Sequence, residues 1–81
     1  MSRRKQEIVE ALRLLGGGWH TRKEIASEIA RHRRGVIESA VSARIVAMIC
    51  DNQLVESRTK VRCPINGVRK NCVALPEDVE Q

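Results

Sequence analysis

Ile8, Leu12 and Leu15 recur at helical spacing, with Val9 and Ala11 beside them and Glu7, Glu10 and Arg13 on the other faces. This pattern predicts a first amphipathic helix over about 4–15. Gly16-Gly17-Gly18 stops it, because successive glycines lose the most backbone entropy in a helix. Thr21, followed three residues later by Glu24, forms a capping box that opens a second helix over about 22–30. That helix buries Ile25, Ala26 and Ile29. Trp19 and His20 lie just ahead of it. Trp19 reads as a lid on the core rather than a base-stacking residue, and His20 as a surface or capping residue. Residues 31–35 then form an Arg-rich inter-helix turn, longer than the usual 3–4 residues.

A third helix is predicted over about 37–52, with Val41, Ile45, Met48 and Ile49 as its buried stripe. At about 100° per residue, Ala40, Ala43, Ala47 and Cys50 point away from that stripe, Ser39 lies on the same outer side, and Arg44 sits at one flank. Asn52 suits the left-handed cap that ends the helix. Beyond it, 54–63 alternates loosely, with Val55, Val61 and Cys63 on one parity and Arg58, Lys60 and Arg62 on the other. A second strand-like run over 68–75 turns Val73 and Leu75 inward. Asn66-Gly67 between the runs is a hairpin signal, and Pro64 widens the tip because it cannot donate a ladder hydrogen bond. Pro76 ends the second run. Three helices followed by a two-stranded hairpin define an α+β, mostly α architecture that reads as a winged helix-turn-helix, with the hairpin as the wing. Its boundaries are a basic arm over 1–5, the domain over 6–76 and an acidic tail over 77–81. There is no internal repeat.

At 81 residues the chain has room for one small core. Phe and Tyr are absent and Trp19 is the one aromatic, so the core must come from Ile, Val, Leu, Ala and Met. No apolar run approaches the roughly 18 residues needed to span a membrane, and the N-terminus has no apolar leader, so a cytoplasmic protein is expected. The formal charge is +5, and Glu77, Asp78 and Glu80 all follow Pro76, so the body is more basic than the total. Arg accounts for 11 of the 15 cations, a bias that favours bidentate phosphate and guanine contacts. A small basic body attracts polyanions. Without aromatic platforms to stack single-stranded bases, duplex DNA is the better match. Cys50, Cys63 and Cys72 contain no Cys-x-x-Cys pair. Cys63 and Cys72 could face each other across the hairpin with His20 or His32 nearby, but three ordinary small residues and no metal is the plainer expectation.

The runs Val41-Ser42-Ala43-Arg44-Ile45, Asn52-Gln53-Leu54-Val55-Glu56, Asn66-Gly67-Val68-Arg69 and Val73-Ala74-Leu75 carry a resemblance to small winged helix-turn-helix proteins of bacteriophages and prophages. They resemble, in turn, that family's recognition-helix core, helix-to-wing step, wing and closing strand. Thr21-Arg22-Lys23-Glu24-Ile25-Ala26 resembles the opening of its second helix. The resemblance covers about 8–75. It implies DNA binding, often in transcriptional regulation, and frequently a homodimer. Two features depart from the family: the longer, Arg-rich turn, and a third helix whose outer face is nearly all small and apolar.

On this reading Arg31, Arg33 and Arg34 grip phosphates beside the third helix, Arg58, Arg62, Arg69 and Lys70 bring the wing to the backbone or minor groove, and Arg3, Arg4 and Lys5 add an arm contact. Ser39, Ser42, Ala43 and Arg44 are the candidates for reading base edges, Ala40 and Ala43 through thymine methyls and Arg44 through guanine O6 and N7. A helix-surface salt bridge is the alternative for Arg44. A rival reading makes the domain a protein-interaction module, its alanine stripe packing on another helix and its cations meeting an acidic partner. No phosphate loop, nucleophile elbow or His-Glu-x-x-His motif supports an enzyme, and no cofactor or small-molecule substrate is expected.

Overall fold

The computed structural model describes residues 3–79. The elements run α1 (Arg3–Leu14), α2 (Arg22–His32), α3 (Glu38–Cys50), β1 (Val55–Arg62), β2 (Arg69–Ala74) and a 3-10 turn at Pro76–Asp78. Three helices are thus followed by one two-stranded antiparallel hairpin.

Each helix boundary has a local chemical cause. At the start of α2 the Glu24 N–H donates to the Thr21 hydroxyl and the Thr21 N–H donates to the Glu24 carboxylate, at 3.2 and 3.1 Å, so the capping box forms as expected. After α1, Gly17 N–H bonds back to Leu12 O at 2.9 Å and Gly16 N–H to Arg13 O at 3.0 Å, with Gly16 at φ +94°. After α3 the same pair of bonds recurs, Gln53 to Met48 at 2.8 Å and Asn52 to Ile49 at 3.1 Å, with Asn52 at φ 61°. Both ends therefore close with a left-handed residue that satisfies the last free carbonyls.

The three helices contact one another and meet in a core of Ile8, Ala11, Leu12, Ile25, Ala26, Ile29, Val41, Ile45 and Met48. Leu54, Val73 and Leu75 close it from the hairpin side. Cys72, Val73, Ala74 and Leu75 are all buried, so the second half of β2 is covered on both faces instead of alternating. One strand residue lies outside the hairpin: His20 pairs with Val73, its N–H donating to Val73 O at 3.0 Å and its carbonyl accepting from Val73 N–H at 2.8 Å. That bridge ties the α1–α2 connection to the sheet.

The hairpin register pairs Glu56 with Val73 and then Lys60 with Asn71, so β1 bulges between them. Ser57 fills the gap: its hydroxyl accepts from the Cys72 N–H at 2.8 Å, and its carbonyl accepts from the Asn71 side-chain amide at 2.7 Å. The bulge breaks the expected alternation and leaves Val61 exposed. The tip closes between Cys63 and Val68 over Pro64-Ile65-Asn66-Gly67, wider than a two-residue turn, as Pro64 requires.

Several expectations are corrected. Trp19 is 42% exposed and is not a core lid; the core is closed by aliphatic side chains without it. Helix α2 runs two residues further than its apolar pattern, its last turn held by Glu28, which pairs with Arg31 at 3.2 Å and His32 at 2.8 Å. Helix α1 begins at Arg3, earlier than its apolar pattern, and Lys5 within it pairs with Asp51 at 3.7 Å. The Arg3 and Arg4 side chains lie outside the described residues. So do Glu80 and Gln81 of the tail, whose earlier part folds back, with Glu77 3.5 Å from Arg13. No described helix is long and apolar enough to cross a membrane.

Candidate nucleic-acid interface

The third helix presents Ser39, Ala43, Val46 and Cys50 to solvent on one side while Val41, Ile45 and Met48 are buried on the other. A groove runs along each flank. On the α1 side, Arg33, Arg34, Gly35, Val36 and Arg44 line a groove of about 120 Å³. On the hairpin side, Arg22, Lys23, Ser42, Asn66 and Lys70 line one of about 160 Å³. The two approach each other at the first turn of α3, where Ile37 lines the first and Glu38 the second.

This arrangement separates residues that the sequence placed together. Ser42 and Arg44 are two positions apart, hence about 200° apart around the helix, and they enter opposite grooves. Ser39 and Ala43 are exposed between them. Arg44 is half-buried and forms no ion pair among the described residues, so the helix-surface salt bridge is not formed here.

The cationic turn is likewise divided. Arg31 pairs with Glu28 at 3.2 Å, and Arg33 pairs with Glu7 of α1. Arg34 is exposed and makes no ion pair among the described residues. Two cations not singled out from sequence enter the hairpin-side groove. Lys23 pairs with Glu38 at 2.6 Å and Arg22 with Glu56 at 2.9 Å. Their sequence signal was their place immediately after the Thr21 cap, since the start of the second helix packs beside the third.

The hairpin cations have a different setting. Arg58, Lys60, Arg62, Arg69 and Lys70 are exposed and form no ion pair among the described residues. The register sets Arg62 opposite Arg69, so two like charges share one face. Lys60 belongs to that face, while Val61 and Lys70, paired with each other, belong to the face that adjoins the groove. Without an anion, opposed guanidinium groups repel; a polyanion relieves that repulsion.

Beneath the groove, Thr21 and Cys63 are buried and share a hydrogen bond of 3.1 Å. Burial pushes the Cys63 thiol up, but the Thr21 hydroxyl and the N–H groups of Ile65 and Asn66 outweigh it, so its pKa falls below the ordinary 9.0. Burial, reinforced by the Glu24 and Cys63 charges, pushes the Cys72 thiol up. His20 is held by both ring nitrogens, Nε2 at 2.7 Å from the Gly17 carbonyl and Nδ1 at 2.9 Å from the Glu24 carboxylate. Both partners are acceptors, so whichever ring nitrogen carries a proton has a carbonyl or a carboxylate to donate to. Among the described residues, no group of three or more His, Cys, Asp and Glu is placed to hold a metal ion. Comparison of the chain with family models, curated proteins and solved structures finds no match.

Proposed function

We propose that this protein is a winged helix-turn-helix that binds double-stranded DNA, with α3 entering the major groove and the β1–β2 wing lying on the backbone or minor groove. The observation that carries this reading is the pair of grooves on either side of the uncovered face of α3, in each of which cations outnumber the single carboxylate, Glu7 or Glu38. A helix seated in the major groove has a phosphate strand along each flank. Arg34 and Arg44 then serve one strand and Lys70, with Arg22 and Lys23, the other. Ser39, Ser42 and Ala43 are left toward base edges, and Arg62 and Arg69 reach the backbone beside the wing. Because the outward face carries few long polar side chains, most of the affinity comes from phosphates and a smaller share from base reading. A small transcriptional regulator is the role that fits such a reader.

Fluorescence anisotropy with unrelated duplexes between about 50 and 200 mM salt tests the proposal. Seven phosphate contacts give a log–log slope of roughly −6, and affinity collapses across that range. Weak, salt-insensitive duplex binding rejects it. The second reading, a module that docks an acidic protein partner, is favoured by exposed Ile37 and Val46 on α3. A stoichiometric complex with a protein that survives the higher salt selects that reading instead.

A further inference from the structure

We infer that the wing tip is an aliphatic wedge that enters the minor groove and bends the duplex, an inference that rests on the DNA-binding reading. The turn Pro64-Ile65-Asn66-Gly67 projects beyond the last ladder pair, Arg62 with Arg69. Ile65 at its head is 49% exposed, and Val61 and Val68 behind it are 48% and 47% exposed. None belongs to the core cluster. Exposed aliphatic side chains at three positions around one tip are unfavourable in water, and the monomer leaves about half of each uncovered.

Charge decides what covers them. Arg58, Lys60, Arg62, Arg69 and Lys70 stand within the same hairpin without ion pairs among the described residues. Tip-to-tip association of two copies would bring ten cations together, whereas the minor groove offers phosphates on both walls. The register suits those walls: Arg62 and Arg69 point from one face of the ribbon and Lys70 from the other. A ribbon that is basic on both faces and aliphatic at its end has the chemistry of side chains that pry open a base step, with the unstacking offset by phosphate contacts on each side. Bending is therefore expected to favour flexible pyrimidine–purine steps.

The test uses the full chain and an end-labelled duplex of about 30 base pairs with a central TA step, the bend read by energy transfer at saturating protein. Wild type is expected to raise transfer. Ile65→Ala is expected to abolish the rise while affinity falls only about fivefold, the exposed site leaving the fold intact. Ile65→Leu keeps the bend. The double variant Arg62→Ala/Arg69→Ala binds more weakly yet still bends DNA once saturated. A straight duplex under bound wild type, or an undiminished bend with Ile65→Ala, overturns the wedge and leaves duplex binding standing. Concentration-dependent dimers lost in Ile65→Ala, with straight DNA, also overturn it. Absence of any duplex binding removes both this inference and the function it rests on.

Discussion

The helical half and the hairpin carry the same kind of charge but use it differently. In the helical half, most of the described cations are joined to carboxylates: Arg33, Lys23 and Arg22 pair between elements with Glu7, Glu38 and Glu56, and Arg31 pairs within α2 with Glu28. In the hairpin, five cations form no such pair among the described residues, and two of them oppose each other in register. Net charge counts both groups equally, but in the hairpin every cation is uncommitted, whereas in the helical half Arg34 and Arg44 are the exceptions. Exposed ion pairs contribute about 0–1 kcal/mol each, so the paired helical cations are weakly held and can be recruited by a phosphate. The hairpin cations need no recruitment.

The largest effect expected separates the core from both charged regions. Ile45 is fully buried at the centre of α3, and Ile45→Ala leaves a cavity costing roughly 2–5 kcal/mol. A domain this small has about 5–15 kcal/mol in total, so its urea midpoint, followed by circular dichroism, should fall sharply. A small shift would mean that α3 does not anchor the core.

Next in size is the contrast between wing and helix. Arg62→Ala/Arg69→Ala should weaken binding to any duplex by at least roughly tenfold at low salt and flatten the salt slope by about two. Stability should hold or rise by a few tenths of a kcal/mol, because a like-charge pair is removed. Arg33→Ala should do the reverse, lowering the thermal midpoint slightly through loss of the Glu7 pair with a smaller change in affinity. Equal effects of the two variants on stability and binding would erase the distinction between committed and uncommitted cations.

Thr21→Ala comes third. It removes the cap of α2 and the bond to Cys63, at a cost of about 1 kcal/mol. Thr21→Ser restores both roles of the one hydroxyl and should recover most of the loss in the same urea titration, while Thr21→Ala that unfolds like wild type would show that the capping box contributes nothing.

Thr21 also marks the boundary of what the residue pattern could reveal. The cap, the glycine stop, the Asn52 stop and the hairpin were legible because each depends on residues within a few positions. The buried stripe of α3 was legible from its period. The His20–Val73 bridge was not, since it joins positions 53 apart and involves a single extended residue with no strand pattern of its own. The exposure of Trp19 was not legible, because its place ahead of the Thr21 cap does not fix how far the ring is covered. Arg31, Arg33 and Arg34 looked equivalent in sequence, and only the packing of Glu28 and Glu7 against them tells them apart. The division of Ser42 from Arg44 was available from the 100° helical step; what the pattern lacked was the wing-side neighbour, Lys70, which gives that division a meaning.

The smallest effect lies where the two regions join. Cys63 sits under the tip with its pKa below 9.0, and Cys72 sits beside the sheet bridge with its pKa above 9.0. The signs are opposite. For Cys63 the unfolded chain holds its proton more tightly, so its contribution to stability is present above 9.0 and is lost as pH falls through the native value. For Cys72 the native state holds the proton more tightly, so its contribution is present below 9.0 and is lost as pH rises through the native value. Cys72→Ala retains only the first thiol of this pair, and Cys63→Ala only the second. Urea midpoints of the two variants, taken in reductant from about pH 7.5 to 9.5, cancel every other titrating group common to both. The Cys72→Ala variant should gain on Cys63→Ala as pH rises, by less than about 1 kcal/mol across the range. Parallel curves would mean that the Thr21, Ile65 and Asn66 contacts do not hold the tip thiolate, and that the hairpin is joined to the helical half by the His20–Val73 bridge and apolar packing without help from that bond.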